Sequence, residues 1–446
     1  MKLRRWLYPG MGVKRWLALF LAGFLLAVVG VAVSANARLL ASAENVLWHS
    51  AMVSEGPLPP VVRGIILAVG GLALAFYSVQ RLTRSIVRSV APGTQDLGKV
   101  LYEKLQLEKG PRVVVLGGGT GLPILLRGLK HYTSNITAIV TVSDDGGSSG
   151  RLRDELGVPP PGDIRNCLVA LADTEPLMER LFQHRFTSGT LRGHSLGNLF
   201  IAALSEVLGD FEEAVRESSK VLAIRGQVLP SSVDSVLLGA EMEDGEVVEG
   251  ESTIAQTATS AAHGRIRRVF LRPSDCRPPA EALTAIAAAD LVVLGPGSLF
   301  TSIIPNLLVT SIAGALRQTK APVVYVMNIM TQPGETEGFS ALDHLQAVEE
   351  HGGPGLVDIC LFSSSPIAEA RRLEYEKQQA YPVEIDAAAI AAFRGRGVRV
   401  AKAPMVTDVG LIRHDPHRLA EALVGQVTES SGGSGGSGVA QDSVLL

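Results

Sequence analysis

Cysteine is scarce in this chain of 446 residues, and its three copies, Cys167, Cys276 and Cys360, stand far apart. Without a CxxC pair or a Cys/His spacing there is no disulfide framework or zinc site to expect. The thiols read as small buried apolar side chains in a reducing compartment. Aromatics make up only 5% of the residues and the formal net charge is −3, which provides neither base-stacking platforms nor a cationic surface for nucleic acid. Hydrolase signatures are missing as well: there is no GxSxG elbow, no HExxH, and no Ser/His/Asp or Cys/His arrangement. No carboxylate or histidine stands out as a general base.

Apolar residues, in contrast, reach 46% with a mean hydropathy of +0.25, more than an ordinary soluble enzyme needs. Two stretches account for the excess. Residues 16–37 run without charge between Arg15 and Arg38, and the segment at about 61–80 is charge-free between Arg63 and Arg81. Each approaches the roughly 20 residues that a hydrocarbon core of about 30 Å requires. Basic residues Lys2, Arg4, Arg5, Lys14 and Arg15 precede the first stretch, and Arg81, Arg84 and Arg88 follow the second. The positive-inside rule therefore puts both ends in the cytosol, joined by a short exterior loop. A cleaved signal peptide is the alternative for the first stretch, and the second span argues against it. The expected organisation is a membrane hairpin over 1–90, a linker over 91–111, a folded domain over 112–425 and a flexible Gly/Ser tail over 426–446.

In the folded part, apolar β-branched runs alternate with helical patterns: VVVL (113–116), ITAIVTV (136–142), LVVL (291–294), PVVYVMN (322–328) and VDICLF (357–362). Such runs indicate a parallel sheet covered on both faces, a doubly wound, Rossmann-like α/β fold. Ile164, Cys167, Leu168 and Leu171 form the apolar stripe of one helix. Leu196, Leu199, Phe200, Ala203, Leu204 and Val207 form that of another. Between about 210 and 275 the rhythm breaks, and an Asp-Gly turn between two apolar runs indicates an inserted subdomain with a hairpin.

The unusual residues fall where the strands end, which is where open α/β sheets bind ligands. VVVL runs into Gly117, Gly118, Gly119, Thr120 and Gly121, whose glycines let backbone N–H groups approach a phosphate at the next helix. The pattern lacks the Lys-Ser/Thr of a P-loop and the third-glycine spacing of a strict dinucleotide fingerprint. After the second strand, Asp144 and Asp145 can meet ribose hydroxyls, hold Mg²⁺, or simply shape an Asx turn. Ser148 and Ser149 can bond phosphate oxygens or cap the next helix. Asp163 reads as a helix N-cap, with Arg165 and Asn166 off the apolar stripe and free to face a ligand. His194 and Asn198 open another helix; Asn198 beside an apolar stripe favours a ligand or backbone hydrogen bond. Gly295, Gly297 and Ser298 offer a second close backbone approach. Asn328 ends a strand as a hydrogen-bonding group for a base or sugar. Arg413 can clamp a phosphate or pair with Asp415.

Taken together, GGGTGLPILLRGLK, ITAIVTVSDDGGSSGRLRDELG, PPGDIRNCLVALAD, GHSLGNLFIAAL, GPGSLFTSIIPNLLV and NIMTQPGET resemble the YvcK (gluconeogenesis factor) family. That family is similar in turn to the CofD-type 2-phospholactate transferases. The resemblance covers about 113–337, and more weakly to about 415. It implies a protein needed for gluconeogenic growth and for normal cell-wall morphogenesis, which binds UDP-sugars such as UDP-N-acetylglucosamine without established catalysis. It makes Gly118, Gly119, Thr120, Gly121, Asp144, Asp145, Asn166, Asn198, Gly297, Ser298 and Arg413 the ligand-facing set. A homo-oligomer is the expected assembly, with a cell-wall enzyme as a further partner. The N-terminal hairpin stands outside the family pattern, and serines 363–365 replace an expected asparagine after VDICLF. Two other readings stay open: a CofD-type Mg-dependent transferase using Asp144 and Asp145, and an NAD(P)-dependent oxidoreductase suggested only by the Rossmann-like opening.

Overall fold

The computed structural model describes residues 13–34, 59–90, 97–173, 176–258, 264–407 and 411–432. The chain divides into two compact units, Met1–Lys104 and Leu105–Leu446.

In the first unit, the helices Val13–Ser34 and Pro60–Val90 contain apolar spans, Arg15–Ser34 and Val61–Thr83, each long enough to cross a membrane. Glycines set how closely they pack. A Cβ on Gly71 would lie 2.4 Å from the Ala27 nitrogen, and one on Gly30 would lie 2.3 Å from the Ala68 nitrogen. Gly23 and Gly64 are equally tight against backbone, so the two helices meet through small residues seven apart. Large side chains such as Leu25, Leu72 and Phe76 face outward, each more than 60% exposed, a surface matched to hydrocarbon. Arg15 and Arg81 lie over the Trp16 ring, and Tyr77 meets Trp16 edge-on, an aromatic and basic girdle at one end of the hairpin. The loop expected outside the membrane (35–58) and the first part of the linker (91–96) lie outside the described residues; the helix Leu97–Glu108 fills most of the rest of the linker.

The second unit is built on seven parallel strands: β1 (Val113–Gly117), β2 (Ile136–Val140), β3 (Gln227–Pro230), β7 (Leu291–Leu294), β8 (Val323–Val326), β9 (Ile359–Ser363) and β10 (Arg399–Ala403). Their order across the sheet is β10-β9-β8-β7-β1-β2-β3. The central strands are buried along their whole length, which is why they read as continuous β-branched runs. The edge strands β3 and β10 do not stand out in sequence, because they carry a proline and an alternation of charge instead. Strand order reverses between β1 and β7. In that register Val113 pairs with both Ile136 and Leu291, which brings the loops after β1, β2 and β7 level with one another.

Three expectations are corrected. The inserted piece is an antiparallel sheet of β4 (Leu237–Met242), β5 (Val247–Glu249) and β6 (Ile266–Arg272), in the order β5-β4-β6. The helix Phe211–Val221 and β3, assigned to the insertion from sequence, belong to the main layer, because β3 extends the parallel sheet beside β2. In the helix Leu196–Leu208 the buried face is Gly197, Asn198, Ile201, Ala202 and Ser205, while Val207 is 80% exposed. That helix is apolar nearly all round, so its pattern gave no reliable phase. Gly197 decides it, since a Cβ there would lie 2.7 Å from the Phe182 carbonyl. Finally, the helix Pro416–Gly432 occupies the first part of the stretch read as a tail, and 433–446 lie outside the described residues.

The glycine seam in the hairpin generates a prediction. Cysteines placed at Trp16 and Tyr77, whose rings meet edge-on with centroids 6.1 Å apart, should be bridged by a short bifunctional thiol reagent. Gly71→Ile should abolish that cross-link, because the branched side chain has no room against Ala27. Undiminished cross-linking would show that the helices are held by something other than close backbone contact.

Candidate functional site

The first glycine loop fits only because side chains are absent. A Cβ on Gly118 would lie 2.4 Å from Thr141, and one on Gly121 would lie 2.4 Å from the Pro296 carbonyl. Gly119 takes a left-handed φ of +60°, which a residue with a Cβ rarely adopts. Its N–H donates to the Asp163 carboxylate at 2.5 Å. Asp163 is thus not the N-cap expected from sequence. It lies in the first turn of the helix Gly162–Leu171 and ties that helix to the loop. Burial raises its pKa to about 6, with Gly119 opposing the shift and Asp144 adding to it.

A cavity of about 320 Å³ opens on the β7/β8 side of this loop. Of the sequence candidates it gathers Gly119, Thr120, Gly121, Gly297, Ser298, Asn328 and Arg413. Gly118 and Gly295 lie beside it as backbone that permits the loops to approach. Thr120 precedes the helix Gly121–Leu129 without capping it by its side chain, so its hydroxyl is uncommitted there. Among the described residues Arg413 has no carboxylate partner. Asp415, its suspected partner, accepts instead from the N–H groups of His417 and Arg418. The last helix brings Arg413 here by docking on the first one at Gly128, where a Cβ would overlap the Pro416 carbonyl.

A second cluster forms on the β2 side. Ser148 Oγ lies 3.1 Å from His194 Nδ1 and accepts from Asn198 Nδ2 at 3.2 Å. Arg165 donates to Ser195 and to Asn166 Oδ1, and Ser195 caps the helix that presents Asn198. Asn198 is 2% exposed and its Oδ1 has no hydrogen-bond partner among the described residues, which is costly unless something supplies one. His194 is buried, and burial first, then Arg151, lowers its pKa. Ser149 is buried against Gly162.

The paired aspartates diverge. Asp144 accepts from the Gly146 N–H at 2.9 Å, and Asp145 accepts from the Ser252 N–H at 2.8 Å, reaching away into the inserted subdomain. From that subdomain Glu251 reaches back. Its pKa is pushed well up by burial, then by Asp144, Asp163, Glu335 and Asp145. Among the described residues no three metal-binding side chains converge. Asp144 and Asp145 therefore fit Mg²⁺ only as separate carboxylates whose remaining positions the ligand's phosphates would fill.

Glu335, which sequence reasoning passed over inside NIMTQPGET, is 4% exposed. It accepts from the Phe300 N–H at 3.2 Å and the Thr301 hydroxyl at 3.0 Å. Its carboxylate thereby fills the anion position at the turn Leu299–Ile303. Ser298, expected to face ligand, donates to Gln332 at 2.8 Å. In the serine run after β9, Ser365 accepts from the Val406 N–H, a structural contact. His414 also lines the cavity. Sequence reasoning selected its neighbour Arg413, since no pattern in GLIRHD distinguishes a buried histidine from a surface one. A larger cavity, about 600 Å³, lies at the opposite edge among the strand beginnings, where open α/β folds do not place their sites.

A family profile described as 2-phospho-L-lactate transferase CofD matches residues 113–406. The chain is 52% identical to the gluconeogenesis factor of Bacillus subtilis (strain 168), over 72% of this chain and 99% of that protein. The chain belongs to the CofD family, among its gluconeogenesis factors. The putative gluconeogenesis factor of Nostoc sp. (strain PCC 7120) is 46% identical over 94% of this chain and 91% of its own length. A crystal structure from Bacillus halodurans, described as a upf0052 family member, has 51% identity and a TM-score of 0.67, covering 71% of this chain and 99% of that one. A match over 94% of the chain must enter Met1–Lys104, so the Nostoc relative aligns with part of the N-terminal unit, whereas the Bacillus subtilis relative covers 72% of this chain.

The Glu335 site carries a pH signature. Burial raises its pKa from 4.5 to about 7, so the folded state holds this proton more tightly than the unfolded chain does. Stability must then fall as pH rises from 4.5 through about 7, with a slope of at most roughly 1.4 kcal/mol for each pH increment of one. Asp163 acts in the same direction up to about 6. Glu335→Gln should flatten most of the fall in thermal stability between about pH 5 and about pH 8. An unchanged slope in the variant would show that Glu335 is ionised throughout.

Proposed function

We propose that the chain binds a nucleotide sugar of the UDP-N-acetylglucosamine type where strand order reverses, and acts there as a regulatory factor. In this reading it links gluconeogenic growth to cell-wall synthesis and cell shape, as the names of its relatives and the sequence resemblance suggest. The observation that carries the binding is the cavity itself. A glycine loop with an uncommitted Thr120 hydroxyl, an Arg413 without a carboxylate and polar atoms lacking partners meet in one concave space. The diphosphate would lie along Gly119–Gly121 and Arg413. The sugar would extend toward Asn198, whose Oδ1 awaits a donor. The hairpin holds this domain at the cytosolic face of the membrane, as the basic flanks Arg81, Arg84 and Arg88 indicate. A homo-oligomer and a cell-wall enzyme partner belong to the same reading.

A second reading, a CofD-type Mg-dependent transferase, is favoured by the family profile and by Asp163, a carboxyl with raised pKa at the glycine loop.

Calorimetric titration of the full chain in detergent micelles separates the two. UDP-N-acetylglucosamine should bind saturably with or without Mg²⁺, with no product formed. Arg413→Ala should weaken binding about tenfold or more, as loss of a charge-assisted phosphate contact does. Silence toward UDP-sugars, with Mg²⁺-dependent binding of GTP and turnover, would overturn the regulatory reading in favour of the transferase.

A further inference from the structure

The helix Leu196–Leu208 has two faces, and the fold buries only one of them, that of Gly197, Asn198, Ile201, Ala202 and Ser205. On the opposite side Leu196, Leu199, Phe200, Ala203, Leu204 and Val207 form a continuous apolar stripe. Among the described residues nothing closes over it: Val207 is 80% exposed, Ala203 is exposed, and the other four are half-buried. Neighbouring helices pack along its edges. On one side Phe182, from the helix Pro176–Gln183, meets the Phe200 ring at 5.1 Å. On the other Leu152, from the helix Gly147–Leu156, packs with Leu199 and Ala202. These neighbours widen the patch, since Leu156 is 50%, Leu177 57% and Leu181 40% exposed. A contiguous apolar face on a folded domain marks a contact surface.

The order of the residues says what fits there. The six stripe positions are symmetric about the midpoint between Ile201 and Ala202. A second copy of the helix, laid antiparallel across that point, sets Leu196 against Val207, Leu199 against Leu204 and Phe200 against Ala203, each pair made twice. The bulkiest side chain of the stripe then meets the smallest, as shape-complementary surfaces require. The charges obey the same symmetry. Arg151, Arg185 and Arg192 gather at the start of the helix, where Arg151 donates to the Arg192 carbonyl and Arg185 to that of Gly193. None of the three has an ion-pair partner among the described residues. Glu206 and Asp210 stand at the other end, and Glu206 is equally unpaired there. A helix of 13 residues, at about 1.5 Å each, keeps the two ends roughly 20 Å apart, too far for a pair within one chain. Antiparallel docking brings each arginine end to the partner's acidic end. An anionic lipid surface would meet the arginines but be repelled by Glu206 and Asp210.

We propose that this face is an isologous interface, at which two copies of the chain pair through antiparallel Leu196–Leu208 helices. The proposal rests on the homo-oligomer of the reading above and supplies its surface and symmetry; it does not require the nucleotide. The paired helix and its neighbour Gly147–Leu156 carry Asn198 and Ser148 into the site from their first turns, so the partner copy braces that cluster.

The test is sedimentation equilibrium of the full chain in density-matched detergent micelles. The wild type should be a dimer at micromolar concentration. Val207→Arg, at a position exposed in the single chain, should weaken the dimer about tenfold or more. Arg192→Glu and Glu206→Arg, each at an exposed position, should weaken it about threefold or more, because each sets like charges against one another at the helix ends. Mixed in equal amounts, these two variants should recover the dimer, since both end contacts then join opposite charges. A dimer that resists Val207→Arg and both reversals overturns this surface and leaves the homo-oligomer standing. Reversals that weaken the dimer without recovery on mixing overturn the antiparallel arrangement. A wild type that is monomeric throughout overturns the homo-oligomer and this inference together. In that case a fluorophore on Val207→Cys, the native cysteines being buried, that shifts to the blue in phosphatidylglycerol vesicles would assign the face to lipid instead.

Discussion

Close approach of backbone to backbone where strand order reverses is the constraint on which the site depends. The loop after β1 and the loop after β7 touch at Gly121 and Pro296 with no space for a methyl group between them. Asn306 fastens the contact from below, donating to the carbonyls of Gly117 and Ser302. Parallel register does the rest, since β2 and β7 flank β1 with their ends level. Any Cβ in this seam would push the loops apart, and the phosphate-type donors would lose their common focus.

Around that seam the charges are sorted. Asp144, Asp163 and Glu251 cluster on the β2 side, while Arg413 stands on the β7/β8 side with no carboxylate partner among the described residues. Burying Asp163, Glu335 and His414 each disfavours the charged form, so all three pKa values move toward neutrality of the group. Glu335 occupies a helix-start anion position that a ligand phosphate would otherwise compete for. In the first glycine loop the Gly119 N–H is likewise taken up by Asp163, while the Thr120 hydroxyl caps nothing. Asn198, Asn328 and His414 each carry a buried polar atom with no hydrogen-bond partner among the described residues.

The inserted subdomain is coupled to this site from above. Asp145 caps the turn at Ser252, and Glu251 from the same turn points back to the carboxylates. An aspartate pair that looks like a metal motif in sequence is thereby split between two tasks. Asp144 shapes its own loop, and Asp145 anchors the insertion.

Much of this was legible along the chain because it depends on local pattern. The hairpin shows as two charge-free runs, the central strands as β-branched runs, and the glycine loops as small residues following strands. The helix Gly162–Leu171 buries Ile164, Cys167, Leu168 and Leu171 as its periodicity required. Edge strand β3 was hidden because it is four residues long and ends in a proline, and β10 because its partly exposed residues alternate charged with apolar. The phase of the helix Leu196–Leu208 was hidden because nearly every face of it is apolar. The roles of Asp163, Glu335 and His414 were beyond reach for another reason. Each is set by a partner more than 30 residues away, through a hydrogen bond and the loss of water around it. Sequence by itself determined the sheet, the apolar hairpin and the edge at which the glycine loops gather, since these follow from hydrophobic periodicity and backbone conformation. Only the tertiary structure decided which polar side chains are buried, which are paired, and which are left without a partner, because desolvation and partnership exist only once distant segments meet.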